Sequence, residues 1–291
     1  MPKNTQKKRE RKPRRVGLIG QLVNHIRRDK KAFTVFVVLR ALVIAVLVRS
    51  VFIQQWENVF VCVLTLVLLL IPPIVERSLH IDLPTTLEIL VFCFVFCAEI
   101  LGEIECYYIR FAFWDTALHT INGFMFAAFG FCLVDVLNEN KRFRFELSPI
   151  YLAVVAFCFS MTIGVLWEFF EFSADLLLHT DMQKDTVLTH FASTALDATY
   201  SNHAVQVRDI VRTTIETADG ETIVMPGYLD VGLVDTIKDM MVNFVGAVGF
   251  STIGFFYVKH RGKGRIASQF IPTPDPEPEH GKDENRREEK G

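Results

Sequence analysis

The sequence is poor in paired cysteines, in net charge and in complete metal-binding motifs. Its six cysteines lie in or beside apolar runs: Cys62, Cys93, Cys97, Cys106, Cys132 and Cys158. Cys93 and Cys97 share a helix face, but no second Cys or His pair accompanies them, which argues against a disulfide framework and a cysteine zinc site. The net charge is only −2, and no pattern indicates an organic cofactor. No small-residue cleavage site follows the first apolar run, so we do not expect a cleavable secretory signal.

Long apolar runs dominate what is present. Apolar residues make up 51% of the 291-residue chain, and the mean hydropathy is +0.29. A bilayer core of ~30 Å needs about 20 helical residues. Six runs have about this length: Ala32–Ile53, Val59–Val75, Pro84–Glu103, Phe113–Leu137, Pro149–Leu178 and Leu233–Val258. We therefore predict an all-α polytopic membrane protein, a bundle of about six transmembrane helices.

The distribution of basic residues predicts the topology. Residues 1–31 are dense in Lys and Arg, and short basic clusters follow the fourth and sixth runs. With six spans these clusters fall on one side, so the positive-inside rule predicts a plasma (inner) membrane protein with both termini in the cytoplasm. We expect the basic tail to rest on anionic membrane lipid rather than to bind nucleic acid. Residues 32–258 form the transmembrane domain, residues 259–291 form a disordered charged cytoplasmic tail, and residues 179–232 form an extracytoplasmic insert.

The insert contains a hairpin signal. Asp219-Gly220 is a strong turn sequence between two stretches with alternating β-branched residues, Val205–Thr217 and Glu221–Met225. These stretches predict a small β-hairpin, and Met182–Thr199 before them predicts a helix near the membrane surface. The insert either caps the outer mouth of the bundle or decorates it.

Four of the runs carry polar side chains near one end at helical spacing. An i, i+3 or i, i+4 spacing stacks side chains on one helix face. The stripes are Glu99 and Glu103 in the third run, Asp115, His119 and Asn122 in the fourth, Glu168, Glu171 and Asp175 in the fifth, and Asp235, Asp239 and Asn243 in the sixth. Outward helices carry their acids late and inward helices carry theirs early. The four stripes are therefore predicted to meet in the outer half of the bilayer, beneath the insert.

A simpler explanation stands beside a shared site. Acids at helix ends can face water, and an Asp in the first turn stabilises the helix dipole. That accounts for Asp115 and Asp235 taken separately. It does not account for Glu99, Glu168 or His119, which lie a turn or more inside their runs, where an ionisable side chain costs ~2.5–3.5 kcal/mol.

Seven of these carboxylates cannot all be ionised and unpaired at low dielectric, because few basic groups accompany them: Glu99, Glu103, Asp115, Glu168, Glu171, Asp235 and Asp239. Either several of them stay protonated, or a bound cation supplies the missing positive charge. Oxygen ligands with one imidazole suit Mg²⁺, Mn²⁺, Ca²⁺ or Zn²⁺. The predicted metal ligands are Asp115, His119, Glu168, Glu171, Asp235 and Asp239. Glu103 is the predicted general base, and Glu99, Asn122, Asn243 and Asp175 are the predicted supporting residues.

Three hypotheses are open, and two of them give this site a function. A metal-dependent hydrolase or transferase acting on an amphiphilic substrate, such as a lipid or lipid-linked intermediate, is the first hypothesis. A cation- or proton-coupled transporter is the second, since DTALH and DTIKD begin the fourth and sixth runs as if two hairpins were duplicated. A protein whose bundle only displays the insert is the third. The oligomeric state is left open.

Three motifs carry a family resemblance. WDTALHTINGF, WEFFEFSAD and DTIKDMMVNFVGA follow one another in consecutive late spans, and in this order they resemble the YjdF-like family of bacterial inner-membrane proteins. The resemblance covers roughly Glu88 to Tyr257 and excludes both tails and most of the insert. It implies a multi-span bacterial membrane protein and no particular reaction.

Overall fold

Helices form the body of the molecule. The computed structural model describes residues 30–79, 81–139, 147–260, 267–271 and 273–274, so the predicted basic tail of residues 1–31 lies almost wholly outside the described residues. The α-helices are α1 (Lys30–Phe52), α2 (Trp56–Leu68), α3 (Ile71–Leu79), α4 (Thr85–Phe96), α5 (Tyr107–Arg110), α6 (Trp114–Glu139), α7 (Pro149–Leu178) and α8 (Leu233–Lys259).

The helices have the lengths that a membrane requires. Five described spans are long and apolar enough to cross a bilayer: α1, α2 continued into α3, α6, α7 and α8. The remaining predicted span, Pro84–Glu103, consists of the 12 residues of α4 followed by an 8-residue π-helical segment, Cys97–Ile104. Many apolar side chains on the outer faces are exposed, such as Val38 and Leu42 of α1, as expected for contact with lipid. The predicted all-α polytopic fold is confirmed.

Helix α6 lies between two packed groups of helices. Helices α1, α2 and α4 pack in one core around residues such as Phe92, to which α6 contributes Met125 and Cys132. Helices α7 and α8 pack in the other core, where Phe131 of α6 lies against Phe250 of α8. The opposite faces of α6 thus join the two groups into one bundle.

Glycines bring α6 and α8 into backbone contact. A Cβ atom added at Gly123 would lie 2.1 Å from the carbonyl oxygen of Asn243, and one added at Gly246 would lie 2.0 Å from the carbonyl oxygen of Thr120. Near the start of both helices Lys238 Nζ lies 3.8 Å from Asp115 Oδ2, and further along both helices the Phe131 ring packs against Gly254, so α6 and α8 run in the same direction. Their polar N-terminal turns therefore lie side by side.

The insert contains the predicted hairpin. Strand β5 (Arg212–Glu216) pairs antiparallel with β6 (Thr222–Pro226), and Gly220 in the turn has a φ of 89°. Glycine adopts this left-handed conformation without the steric cost that a Cβ atom imposes. The predicted hairpin is confirmed over these two strands, but Val205–Val207, which was predicted to belong to it, pairs with Phe191–Ser193 instead.

The helix predicted over Met182–Thr199 is wrong. Other short elements replace it: β2 (Val187–Leu188) pairs with β7 (Tyr228–Leu229), β3 (Phe191–Ser193) pairs with β4 (Val205–Val207), and a 3₁₀ turn covers Thr194–Leu196. The Asp197 carboxylate accepts hydrogen bonds from the backbone amides of Thr199 and Ser201. Such local bonds compete with helix formation and favour turns.

The chain after α8 returns to the bundle as a C-terminal strap, residues 267–271 and 273–274. Strand β8 (Thr273–Pro274) pairs antiparallel with β1 (Ile81–Asp82). Phe270 packs against Phe124 of α6 with ring centroids 5.1 Å apart, and Ile271 is buried. At these residues the predicted disordered tail of residues 259–291 is wrong, because apolar side chains anchor it. Most of the rest of that tail lies outside the described residues.

Candidate metal centre

The polar side chains of three helices meet at one end of the bundle. The insert joins the C-terminus of α7 to the N-terminus of α8, and α6 begins beside α8, as the glycine contacts show. We call this the insert end of the bundle. The late residues of α7 and the early residues of α6 and α8 therefore lie at the same level.

Helices α6 and α8 supply the first group of possible ligands. His119 Nε2 lies 3.4 Å from Asp115 Oδ1 and 3.8 Å from Asp239 Oδ2. One donor atom from each of these three side chains lies within 4.8 Å of the other two. We call Asp115, His119 and Asp239 the first triad.

Helix α7 completes a second group with the same histidine. Ligand atoms of His119, Glu168 and Glu171 also lie within 4.8 Å of one another, and we call these residues the second triad. Trp167 Nε1 donates a hydrogen bond to Glu171 Oε1 over 2.8 Å. The indole thus orients this carboxylate, which goes beyond the membrane-interface anchoring that is usual for a Trp near a helix end.

Three carboxylate oxygens in the triads are buried and have no hydrogen-bond partner among the described residues: Asp115 Oδ2, Glu168 Oε2 and Asp239 Oδ1. Glu168 is 4% exposed and Asp239 is 2% exposed. A buried carboxylate without a partner is costly, so such groups are normally paired or coordinate a metal. The orphaned oxygens fit a divalent cation, which prefers carboxylate oxygen and imidazole nitrogen.

Lys238 links the first triad to Asp235. Its Nζ lies 3.8 Å from Asp115 Oδ2 and 3.7 Å from Asp235 Oδ1. Asp235 Oδ2 accepts a hydrogen bond from the backbone amide of Lys184 over 2.9 Å. Asp235 therefore belongs to neither triad but lies next to the first one. Its hydrogen bond with Lys184 connects the insert to α8.

An amide pair closes the floor of the site. Asn122 Nδ2 donates to Asn243 Oδ1 over 3.3 Å, and Asn243 Nδ2 approaches the Met161 sulfur at 3.6 Å. Ser160 donates to the Gly123 carbonyl over 2.7 Å. The predicted supporting residues Asn122 and Asn243 thus lie directly below the triads, where the three helices touch.

The insert covers the site from above. We call residues 180–184 the cover segment, because Gln183 Nε2 donates to Thr236 Oγ1 over 2.5 Å and both side chains interact with the Glu168 carboxylate. Asp175 holds this segment: its carboxylate accepts bonds from the Thr180 hydroxyl and from the amides of Met182 and Gln183. Asp175 is therefore an anchor of the insert.

Comparison with known proteins identifies the family. A family model described as "Predicted membrane protein (DUF2238)" matches residues 35–260. The chain belongs to this family. The resemblance to the YjdF-like family is thereby confirmed, since the two descriptions name the same family.

The relatives of this DUF2238 chain leave its chemistry open. A protein of Thermotoga maritima described as "Uncharacterized protein" is 29% identical over 107 residues, which are 37% of this chain and 53% of the relative. The chain thus spans about half the length of the curated relative it matches. No solved structure matches the chain.

The π-helical segment of this DUF2238 chain lies beside the triads without joining them. Glu99 is half-buried and Glu103 is exposed. The Tyr108 ring packs on Gly102, where an added Cβ atom would lie 2.3 Å from the ring. Its phenol lies near enough to both glutamates, to Asp115 and to Glu171 for their charges to act on it. Tyr108 thus lies near the π-helical segment and near both triads.

Sequence reasoning missed the contacts that cross between elements. The cover segment, the Trp167 bond to Glu171 and the position of Tyr108 have no periodic signature. The acidic neighbours of Trp167 at i+1 and i+4 were the one available signal for its role. Helix periodicity found the stripes, because it depends only on spacing within one helix.

Proposed function

We propose that this protein is a membrane metalloenzyme that hydrolyses or transfers a group on a lipid or lipid-linked substrate. The two triads would hold the divalent cation. One observation carries the proposal: three buried carboxylate oxygens find no hydrogen-bond partner in the described part of the chain, namely Asp115 Oδ2, Glu168 Oε2 and Asp239 Oδ1. They belong to groups whose ligand atoms lie within 4.8 Å of one another. Such a cation would polarise a phosphoryl or acyl oxygen and acidify bound water.

The surrounding groups suit that chemistry. Glu103 is exposed and belongs to neither triad, so in this proposal it accepts the proton of the attacking water as general base. Tyr108, whose ring packs on Gly102 of the same segment, would orient that water. Trp167 is 42% exposed on the outer face of α7, so the triads border the lipid as well as the insert. An amphiphilic substrate is the class that reaches such a position.

The topology belongs to the same proposal. We place the insert end at the extracytoplasmic face of the plasma membrane and both termini in the cytoplasm, from the positive-inside distribution of basic residues. The substrate would then be presented from the outer leaflet.

A metal measurement tests the proposal. The purified protein in detergent is loaded separately with Mg²⁺, Mn²⁺, Ca²⁺ and Zn²⁺, desalted and analysed for metal, beside His119→Ala and an Asp181→Asn control. Asp181 is on the exposed cover segment, with its carboxylate 3.8 Å from Lys184 Nζ, and the control should keep the metal. We expect bound divalent metal in the wild type and less of it in His119→Ala, which lacks the imidazole ligand. Absence of metal from the wild type after all four loadings would refute a metalloenzyme.

A cation- or proton-coupled transporter is the second candidate. The facing starts of α6 and α8 favour it: Asp115 and His119 lie opposite Asp235 and Asp239, as in a duplicated hairpin. Against it, the helices touch below the triads, where a Cβ atom on Gly123 would overlap Asn243. Cation-dependent flux into vesicles, without turnover of lipid substrates, would decide in its favour.

A further inference from the structure

The two triads draw on different helix pairs. The first joins α6 to α8 and the second joins α6 to α7, and they share His119. Each contains buried carboxylate oxygens that accept no hydrogen bond from a described residue: Asp239 Oδ1 and Asp115 Oδ2 in the first, the latter facing Lys238 Nζ at 3.8 Å, and Glu168 Oε2 in the second. Unsatisfied ligand atoms are therefore present on both sides of the histidine.

His119 cannot serve both triads through one nitrogen. Its Nε2 faces Asp115 and Asp239 at 3.4 and 3.8 Å, so this nitrogen belongs with the first triad. A cation between Glu168 and Glu171 would then be held mainly by oxygen. The first triad offers mixed nitrogen and oxygen ligands, and the second offers a harder, carboxylate-rich set.

The charge of the site indicates how many cations it takes. The triads hold four carboxylates, and Asp235 adjoins them through Lys238. In the described part of the chain, the ion pairs of these five groups are with Lys238 and with His119, which is charged only when protonated. With all five carboxylates ionised, as metal ligands are, one ammonium leaves four negative charges. A single divalent cation would neutralise half of them, and two would neutralise all.

We infer that the cluster binds two divalent cations, one in the first triad and one between Glu168 and Glu171. This inference rests on the proposed function. Paired cations ~3.5–4 Å apart act as a clamp on the attacking and leaving oxygens of a displacement, as in many phosphatases. The inference therefore narrows the substrate class to a lipid that carries a phosphoryl group.

The stoichiometry of Mn²⁺ binding tests the inference. The metal-stripped protein in detergent is titrated with Mn²⁺ alone by equilibrium dialysis, and the loaded samples are examined by electron paramagnetic resonance. We expect two Mn²⁺ per chain with the signature of exchange coupling. Asp239→Asn and Glu168→Gln should each retain about one ion and lose the coupling, and Asp181→Asn should retain two.

The outcomes separate the two claims. One uncoupled Mn²⁺ per wild-type chain at saturation would overturn the pair but leave the proposed function standing, whereas no Mn²⁺ in any sample would remove both. Asp115→Asn and Glu171→Gln repeat the test at the other carboxylate of each triad, in case a variant fails to fold. Two ions lost together in every correctly folded variant would also contradict two separable positions.

Discussion

Single glycines decide how closely α6 and α8 approach, and through this contact they position the two triads. Gly246 and Gly249 lie three residues apart on α8 but have opposite surroundings. A Cβ atom at Gly246 would lie 2.0 Å from the Thr120 carbonyl oxygen, whereas one at Gly249 would meet nothing within 4 Å. The same substitution at the two positions therefore tests packing alone.

We expect Gly246→Ala to lower the thermal stability of the protein in detergent. Overpacking of this kind costs ~1–3 kcal/mol, and the forced separation of α6 from α8 should also weaken metal binding at the first triad. Gly249→Ala is the matched control and should leave stability equal or raise it, since Ala in a helix is favoured over Gly by up to ~1 kcal/mol. Thermal unfolding of both variants checks this, and equal losses would contradict the contact.

The Asp197 carboxylate organises its loop in the insert. The Thr199 hydroxyl, then the amides of His203, Thr199 and Ser201, hold the pKa of this carboxyl well below its usual range. A depressed pKa contributes stability that is present above the unfolded value of ~3.9 and is lost as the pH falls below it. The loop should therefore open in acid.

Hydrogen exchange across residues 194–205, corrected for the intrinsic rate at each pH, measures this opening. We expect protection of the Ser201 and His203 amides to be constant above about pH 4 and to fall as the pH drops further. Asp197→Asn should lower protection at neutral pH and remove most of the acid dependence, because an amide offers one acceptor oxygen. Undiminished acid dependence in that variant would assign the effect to another group.

At the scale of elements, a few hydrogen bonds hold the cover segment. The Asp175 carboxylate on α7 accepts one from the Gln183 amide, Asp235 accepts one from the Lys184 amide, and the Thr236 hydroxyl accepts one from the Gln183 side chain. Gly232 supports it at a φ of 81°, where a Cβ atom would lie 2.6 Å from Gln183 Cβ. The cover segment is thus a short stretch that a few hydrogen bonds hold beside the triads.

Asp175→Asn should loosen the cover segment and leave the bundle intact. The Met182 and Gln183 amides bind different oxygens of this carboxylate, so one of the two amides loses its acceptor when one oxygen becomes an NH₂ group. We expect faster hydrogen exchange in residues 180–184 and unchanged exchange in α8. Asp181→Asn, on the same segment, is the control, and equal acceleration in both variants would show that Asp175 is not the anchor.

The elements also show what the sequence could and could not predict. The helices and the polar stripes of α6, α7 and α8 followed from spacing, since a membrane helix satisfies its own backbone and leaves only its faces to be assigned. The hairpin followed from Asp219-Gly220. The helix predicted before the hairpin is wrong because the Asp197 carboxylate accepts hydrogen bonds from the Ser201 and His203 amides. Both residues lie beyond the stretch that was predicted to be helical. Pairings of β2 and β4 are likewise set by distant partners, which a local pattern does not contain.

At the scale of the whole molecule, acidic side chains cluster at the insert end of the bundle, and the C-terminal strap packs on the bundle through apolar contacts. The triads lie at the insert end, and the C-terminal strap packs Phe270 against Phe124 from the other side. If the triads serve the outer leaflet, the insert and the chain termini must lie on opposite sides of the membrane.

Reporter fusions check this arrangement in a bacterial host. Alkaline phosphatase inserted after Gly220 should be active, because the insert is predicted to be extracytoplasmic, and the same reporter joined after Gly291 should be inactive. A fluorescent protein that folds only in the cytoplasm should give the reverse pattern. The opposite result at both positions would invert the topology and move the triads to the inner leaflet.

The strap has a consequence for biosynthesis. Strand β8 pairs with β1, and β1 precedes the third span. Strand β1 is therefore translated long before its pairing partner β8. Contacts of such long sequence separation form late. The helices can enter the bilayer one after another, but Phe124 and β1 remain uncovered by the strap until residues 267–274 have been translated. We therefore expect this part of the bundle to assemble only after all the spans have been made, and chaperones or insertase to protect it during that interval.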